Sequence, residues 1–171
     1  MMEISEAQRV SMHEFYLSAR KLLSSGVVPP ICVQRSFEAA MAGILDEDGW
    51  RPTHISRAAA LALTEGWISN VQRAHGVLEG RKDRFDRTIY ILTFEEKPFE
   101  EWWEFYKKHD ATVLITRAEH FSNLKFTEDE LIPVPWDEQK LFINSGFSFK
   151  ARKKVELKWV RQQMLNSSIT K

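Results

Sequence analysis

The sequence predicts a mixed α+β fold whose first half is mainly helical and whose small sheet lies within residues 87–116. Two observations support this prediction: apolar residues recur at helical spacing through most of the first half, whereas RTIYILTF (87–94) and ATVLIT (111–116) are runs of β-favouring residues. The composition, 43% apolar and 28% charged over 171 residues, is typical of one globular domain. Within that single domain we expect a helical part at about residues 1–86 and an α/β part at about residues 87–171.

The helices of the first half follow from apolar spacing and from residues that begin or end helices. The first helix is expected from Ser5, a predicted N-cap, to the stop at Gly26. The next covers VQRSFEAAMAGIL (33–45), after the two prolines of PPICVQ. Two shorter helices are expected at 55–65 and 69–78, separated by the turn TEGWI.

The second half of the chain predicts a strand, a helix and a second strand in that order. The strand at 87–94 is followed by FEEWWEFYKKHD, whose helix begins at Pro98 because proline is tolerated in a first helical turn. The strand at 111–116 leads into a short helix, RAEHF, for which Thr116 and Glu119 are spaced as a capping box. This order resembles a βαβ unit with a short linking segment.

Residues 147–160, FSFKARKKVELKWV, carry two patterns at once. Apolar residues alternate with Lys and Arg, as they do in a strand that is buried on one face. The same residue types are equally suited to a helix. The sequence leaves both assignments open, and it shows no internal repeat.

Residues 55–78 also carry the features of a DNA-reading helix-turn-helix. The first helix is rich in alanine, which lets a second helix approach closely, and Ser69 is a favourable N-cap for that second helix. Three apolar residues then share its inner face: Val71, Ala74 and Leu78. The side chains left facing outward are those that can pair with bases: Asn70, Gln72 and Arg73. A plain structural hairpin is the alternative, because the turn is long and Gly76 weakens the second helix.

The distribution of charge adds candidate phosphate contacts. The net charge is zero, which argues against a general polyanion binder. Residues 92–140 hold 6 Lys or Arg and 12 Asp or Glu, whereas residues 141–171 hold 7 Lys or Arg and one Glu. The basic residues expected to hold phosphates are Arg81, Lys82, Arg84, Lys150, Arg152, Lys153 and Lys154. Alternatively, the acidic and basic segments neutralise each other within the fold.

Four residues at the two ends of the 111–116 strand supply a second hypothesis, a metal-dependent nuclease or hydrolase. They are His109, Asp110, Glu119 and His120. A strand of six residues spans about 20 Å, so the two pairs meet at a metal only if the chain folds back. We therefore expect no metal site and no cofactor, since the common nucleotide, serine-hydrolase and zinc motifs are also missing from the sequence.

A third hypothesis is an interaction protein without catalysis. Adjacent Trp102 and Trp103 point about 100° apart on a helix, so one of them could anchor a partner protein, although burial of both in a broad core is the stronger expectation. The single Cys32 is expected to be buried and, together with an N-terminus unlike a signal peptide, indicates the reducing cytoplasm. No stretch is apolar enough for a membrane span. The leading hypothesis is a small cytoplasmic DNA-binding protein without catalytic activity.

Overall fold

The computed structural model confirms the mixed α+β class. It describes residues 4–45, 52–75, 77–78, 84–135, 141–142 and 154–169. The chain divides into two compact units, each made of two segments. We call them the helical unit and the sheet unit; they comprise residues 2–49 with 81–111 and residues 50–80 with 112–171, respectively. The internal boundary expected at about residue 86 does not coincide with this division.

Helices dominate the described part of the chain. In chain order the elements are α1 (Glu6–Ser25), α2 (Pro30–Leu45), β1 (His54–Ser56), α3 (Arg57–Thr64), β2 (Val71–Ala74), α4 (Arg84–Thr93), α5 (Phe99–His109), β3 (Val113–Thr116), α6 (Arg117–Phe121), β4 (Leu131–Pro133) and α7 (Lys154–Ile169). Two 3₁₀ turns, Ile68–Asn70 and Glu128–Glu130, lead into β2 and β4.

The helical unit is built on an aromatic core. Helix α1 begins with the expected N-cap, Ser5, and ends at Gly26, whose φ of 67° is the left-handed conformation that glycine tolerates. The core residues come from α1, α2, α4 and α5 and include Met12, Tyr16, Phe37, Met41, Trp102, Trp103 and Tyr106. Both tryptophans of the doublet are therefore buried, so neither offers an exposed anchor for a partner protein.

Cys32 is exposed, contrary to the expectation of burial. The buried face of α2 passes through Val33, Phe37 and Met41, which are four residues apart and share one side of the helix. Cys32 precedes Val33 and lies outside that stripe. The apolar run PPICV suggested that Cys32 is buried, but the run begins a helix, and one side of a helix faces solvent.

The prediction of a strand at 87–94 is wrong, because residues 87–93 belong to helix α4. Its buried residues fall on one face at helical spacing: Arg87, Thr88, Ile91 and Leu92. The β-favouring residue types are tolerated because this face packs against α1, α2 and α5. The hydroxyl of Thr93 donates to the Ile89 carbonyl oxygen four residues earlier, whereas the hydroxyl of Thr88 donates to Glu38 Oε1 of α2 at 2.6 Å.

The sheet unit contains a mixed four-stranded sheet in the order β2-β3-β1-β4. The central strands β1 and β3 are parallel, with Ile55 beside Leu114. Each has an antiparallel strand on its outer side, since β4 pairs with β1 and β2 pairs with β3. Of these strands the sequence predicted only β3, whose four residues belong to a run of β-favouring types; β1, β2 and β4 are as short and lack such a run.

An internal repeat, which the sequence does not reveal, organises the sheet unit. A strand, a helix, a 3₁₀ turn and a second strand follow one another twice, as β1-α3-β2 and β3-α6-β4. Equivalent positions are 60 residues apart: Ser56 and Thr116 each cap a helix, and Ser56 pairs with Leu131 as Thr116 pairs with Val71. One short stretch keeps the same residue types in both copies: Ile55-Ser56-Arg57-Ala58 and Ile115-Thr116-Arg117-Ala118.

The repeat places its two helices on opposite faces of the sheet. Ile55 and Leu114 are neighbours in the parallel pair and belong to one apolar core, which α3 and α7 complete. Ile115, the counterpart of Ile55, follows Leu114 and therefore points to the other face. The caps have nearly the same backbone angles, φ −71° and ψ 153° at Ser56 against −72° and 158° at Thr116. Helix α6 therefore leaves the sheet on the face opposite to α3 and α7.

The prediction of a second hairpin helix at 69–78 is wrong. Ser69 and Asn70 end a 3₁₀ turn, and Val71–Ala74 form β2, which pairs with β3 from Val71–Thr116 to Ala74–Val113. The three residues expected to be buried are buried: Val71, Ala74 and Leu78. Val71 and Ala74 belong to β2, which pairs with the outer edge of β3, and Leu78 forms an isolated bridge with Phe126, so none of the three lies on a recognition helix.

The basic tail resolves as a helix where the structure describes it. Residues 147–153 lie outside the described part, and α7 begins at Lys154. Val160 is fully buried in the core that contains α3, and Val155, Trp159 and Met164 pack against that core around it. None of the helices in the described residues has the length and hydrophobicity that crossing a bilayer requires.

Candidate nucleic-acid interface

The two strand-to-helix junctions of the repeat lie side by side at one edge of the sheet, because β1 and β3 are parallel neighbours. Glu119 joins them: its Oε2 accepts hydrogen bonds from Ser56 Oγ (2.8 Å), Thr116 N (2.7 Å) and Thr116 Oγ1 (2.9 Å). Both capping residues are buried. The next residues, Arg57 and Arg117, are exposed. This end of the parallel strands therefore presents two cations, Arg57 and Arg117, beside Glu119, whose Oε2 is already hydrogen-bonded to the two capping residues.

The predicted base-reading residues lie on a turn and a strand rather than on a recognition helix. Asn70 ends a 3₁₀ turn, where its backbone N–H donates to the Trp67 carbonyl oxygen at 3.1 Å. Gln72 and Arg73 lie on β2 beside Ile115 and Leu114 of β3. All three predicted readers are half-buried, so the expected exposure of Asn70 and Arg73 is not met. Residues 55–78 therefore do not form a helix-turn-helix.

Two of the seven predicted phosphate contacts fall within the described residues. The other five lie outside them: Arg81, Lys82, Lys150, Arg152 and Lys153. Arg84 is at the start of α4, where its guanidinium is ion-paired with Glu38 and its charge is neutralised. Lys154, the first residue of α7, is exposed and makes no salt bridge with a described residue.

Helix α7 carries an exposed cationic face. Lys154, Lys158 and Arg161 are exposed and recur at intervals of four and three residues, which places them on one side of the helix. They line an open groove together with Leu157, Gln162 and Leu165. The one acidic residue of α7, Glu156, is buried, where its Oε1 accepts a hydrogen bond from the Phe142 backbone N–H at 2.6 Å. The cationic face therefore contains no carboxylate.

The cations of the two units differ in how they are paired. In the helical unit, several are neutralised by acids of the same unit: Arg9 by Glu100, Arg20 by Glu96, Lys97 by Glu101 and Lys107 by Glu104. In the sheet unit, five exposed cations make no salt bridge with any residue that the structure describes: Arg57, Arg117, Lys154, Lys158 and Arg161. The helical unit also has three exposed cations that make no salt bridge with a described residue, namely Lys21, Arg35 and Lys108. Because the sheet unit has the larger number of such cations, it is the better candidate for binding an anion.

The residues of the nuclease hypothesis each have a separate environment. His109 contacts aromatic rings of the helical unit, and Asp110 accepts a hydrogen bond from the Tyr106 hydroxyl at 2.9 Å. Glu119 caps the two junctions of the sheet unit, whereas His120 is exposed on α6. Among the described residues, no group of three or more His, Cys, Asp or Glu is placed to hold a metal. The geometry therefore gives the nuclease hypothesis no support.

The helical unit contains a buried network of ion pairs. Arg87 of α4 is ion-paired with Glu38 of α2 and with Asp110 at the end of α5. Burial alone would raise the pKa of Glu38, but hydrogen bonds from Thr88 and neighbouring side chains, with the charge of Arg87, lower it below its ordinary value. Burial lowers the pKa of Arg87. Because these carboxylates are matched by cations, we assign the network to stability.

Sequence reasoning included Lys158 in the basic run 150–158 but missed three residues that the structure brings forward: Arg117, Phe121 and Arg161. Arg161 continues the helical spacing of Lys154 and Lys158, a signal that appears only when the tail is a helix. Arg117 and Phe121 lie in RAEHF, where the capping box drew attention to Glu119 instead.

Comparison with family models, with curated proteins and with solved structures found no match to this chain. Its function is therefore inferred from its own residues and their geometry. That inference depends on the exposed cations of the sheet unit that make no salt bridge with a described residue.

Proposed function

We propose that the protein binds nucleic acid and that helix α7 supplies its main phosphate contacts. The observation that carries this proposal is the exposed face of Lys154, Lys158 and Arg161, which lacks a carboxylate and any salt bridge to described residues. Base reading by a helix-turn-helix is not part of the proposal. The proposal includes a reducing, cytoplasmic setting, because the chain has a single cysteine.

The spacing of the three cations suits a phosphate backbone. Lys154 and Arg161 are seven residues apart, or about 10 Å along the helix axis at 1.5 Å per residue. Successive phosphates of one strand of B-DNA are separated by about 3.4 Å along the duplex axis, so about three steps match this length. Leu157, in the same groove, can pack on sugars or bases while the cations hold phosphates.

Binding through phosphates has a measurable signature, its dependence on salt. Each neutralised phosphate releases condensed counterions, so the logarithm of the binding constant falls with the logarithm of salt concentration by about 0.7 per contact for single strands and 0.9 for duplexes. The triple variant Lys154→Gln, Lys158→Gln, Arg161→Gln should therefore lose about two to three units of this slope. Fluorescence anisotropy of labelled oligonucleotides, titrated from about 50 mM salt upwards, measures both quantities.

A matched control is available in the helical unit. The variant Arg9→Gln, Lys97→Gln, Lys107→Gln changes the net charge by the same amount, but it removes cations that already pair with acids. We expect this control to keep the wild-type slope, because those charges are neutralised. The proposal is overturned if wild-type protein at micromolar concentration and about 50 mM salt binds no nucleic acid. It is equally overturned if both triple variants reduce binding alike.

A further inference from the structure

The outer face of α6 combines three chemically different groups. Arg117, His120 and Phe121 are exposed and lie at positions i, i+3 and i+4, which share one side of a helix. Phe121 is 83% exposed, which is unusual because large aromatic side chains are mostly buried. The rings of His120 and Phe121 have their centroids 6.2 Å apart. One short helix face thus presents a cation and two flat rings to solvent.

Nothing within the described fold accounts for this face. Helix α6 has no buried residue, so its side chains do not serve a core. Its one acid, Glu119, is held by the two caps, and Arg117 makes no salt bridge with any described residue. Strand β2 begins next to Arg117, because Val71 pairs with Thr116. The two residues before β2, Ser69 and Asn70, are neutral.

The repeat supplies an internal comparison. At the equivalent junction, Arg57 and Leu61 take the places of Arg117 and Phe121, and both are exposed. There the adjoining strand β4 is preceded by the acidic Glu128–Glu130. An acidic neighbour repels a phosphate chain, so the α6 side of the sheet edge is the more favourable of the two for an anion.

We propose that this face stacks a base of single-stranded nucleic acid on Phe121 while Arg117 holds an adjacent phosphate. The inference rests on the proposed nucleic-acid binding and names its substrate class. Aromatic rings beside cations are how proteins bind single strands without sequence preference, because every base has a π-face. In a paired duplex the bases stack on each other and do not reach such a ring.

The position of α7 supports the same substrate class. Helices α6 and α7 leave the sheet on opposite faces, so their outer sides are separated by about 30 Å, the thickness of two helices and the sheet between them. A duplex with a persistence length of about 150 base pairs does not turn around such a layer. A flexible single strand passes around the edge strand β2 and contacts both helices.

The test uses full-length protein, labelled oligo(dT) of about 20 nucleotides and a duplex of the same length. We expect wild type to prefer the single strand and Phe121→Ala to weaken oligo(dT) binding by at least about fivefold, the low end of one base–aromatic contact. Phe121→Trp should restore affinity, with indole emission quenched by the stacked base. Arg117→Gln should lower the salt slope by about 0.7. An oligo(U) probe distinguishes RNA from DNA as the source of the strand.

Two controls separate stacking from a general apolar contact. Leu124→Ala removes an exposed apolar side chain just beyond α6 and should leave oligo(dT) binding unchanged. Phe121→Leu keeps an apolar group without a π-face, so it should bind as weakly as Phe121→Ala. Full affinity of Phe121→Leu, or equal binding of duplex and single strand with no effect of Phe121→Ala, overturns this inference and leaves the α7 proposal standing. Loss of all binding by wild type overturns both.

Discussion

The buried Arg87 network allows a quantitative comparison between two arginines that contact the same carboxylate. Arg87 and Arg84 are both ion-paired with Glu38, but the side chain of Arg87 is 6% exposed and that of Arg84 is 48% exposed. Replacing each with Met removes the charge while keeping most of the aliphatic volume. Burial therefore becomes the main difference between the two variants.

We expect Arg87→Met to lower the free energy of unfolding by about 3–5 kcal/mol, because it leaves the carboxylates of Glu38 and Asp110 without their buried cation. Arg84→Met should cost about 0–1 kcal/mol, since water replaces much of that exposed pair. In urea unfolding followed by far-UV circular dichroism, with a slope of about 2 kcal/mol per molar, the midpoints should fall by roughly 2 M and by less than about 0.5 M, respectively.

A double variant tests whether the loss arises from uncompensated charge. Glu38→Gln with Arg87→Met removes both charges of one buried pair, so the combined loss should be at least about 1 kcal/mol smaller than the sum of the single losses. If Arg84→Met costs as much as Arg87→Met, or if Arg87→Met costs less than about 1 kcal/mol, burial does not set the strength of this network.

Two further variants test single carboxylates. The pKa of Glu38 is lowered from its ordinary value of 4.5 in the folded protein, so the stability it contributes is present above 4.5 and is lost as the pH falls through the lower folded value. The difference in urea midpoint between wild type and Glu38→Gln should therefore stay constant near neutrality and shrink below that pH; a difference that grows on acidification contradicts the assignment. Glu119→Gln should cost about 1–3 kcal/mol, because one carboxylate oxygen serves two buried caps. Glu130→Gln, in the exposed capping box of Thr127, should cost less than about 1 kcal/mol, and equal losses would show that the link to Ser56 adds nothing.

The elements that the sequence predicted correctly are those whose signals are local. Helix α5 follows from Pro98 and a wide aromatic stripe, and α6 follows from the spacing of Thr116 and Glu119. The wrong assignments, 69–78 and 87–94, concern segments whose state is set by distant partners. One pairs with β3, and the other packs into the helical unit. Short apolar runs are compatible with either structure until those partners are known.

The candidate interface was predictable only in part for the same reason. The basic character of the tail is visible in the sequence, but the exposure of Lys154, Lys158 and Arg161 on one face requires the helix. Whether a cation is already neutralised is a tertiary property. Arg84, predicted to hold phosphate, pairs with a glutamate 46 positions away, whereas Arg117, which was passed over, has no salt-bridge partner among the described residues.

The repeat gives a physical reason why the proposed binding residues lie on α6 rather than on α3. At equivalent positions, α3 has Ala59 and Ala60, both fully buried under α7, whereas α6 has Glu119 and His120. Close packing of α7 requires small residues on α3, so that copy is constrained by the core. Helix α6 buries none of its residues, and its outer face is free to carry a cation and aromatic rings. One copy of the motif thus stabilises the sheet unit, and the other is available for contact with a ligand.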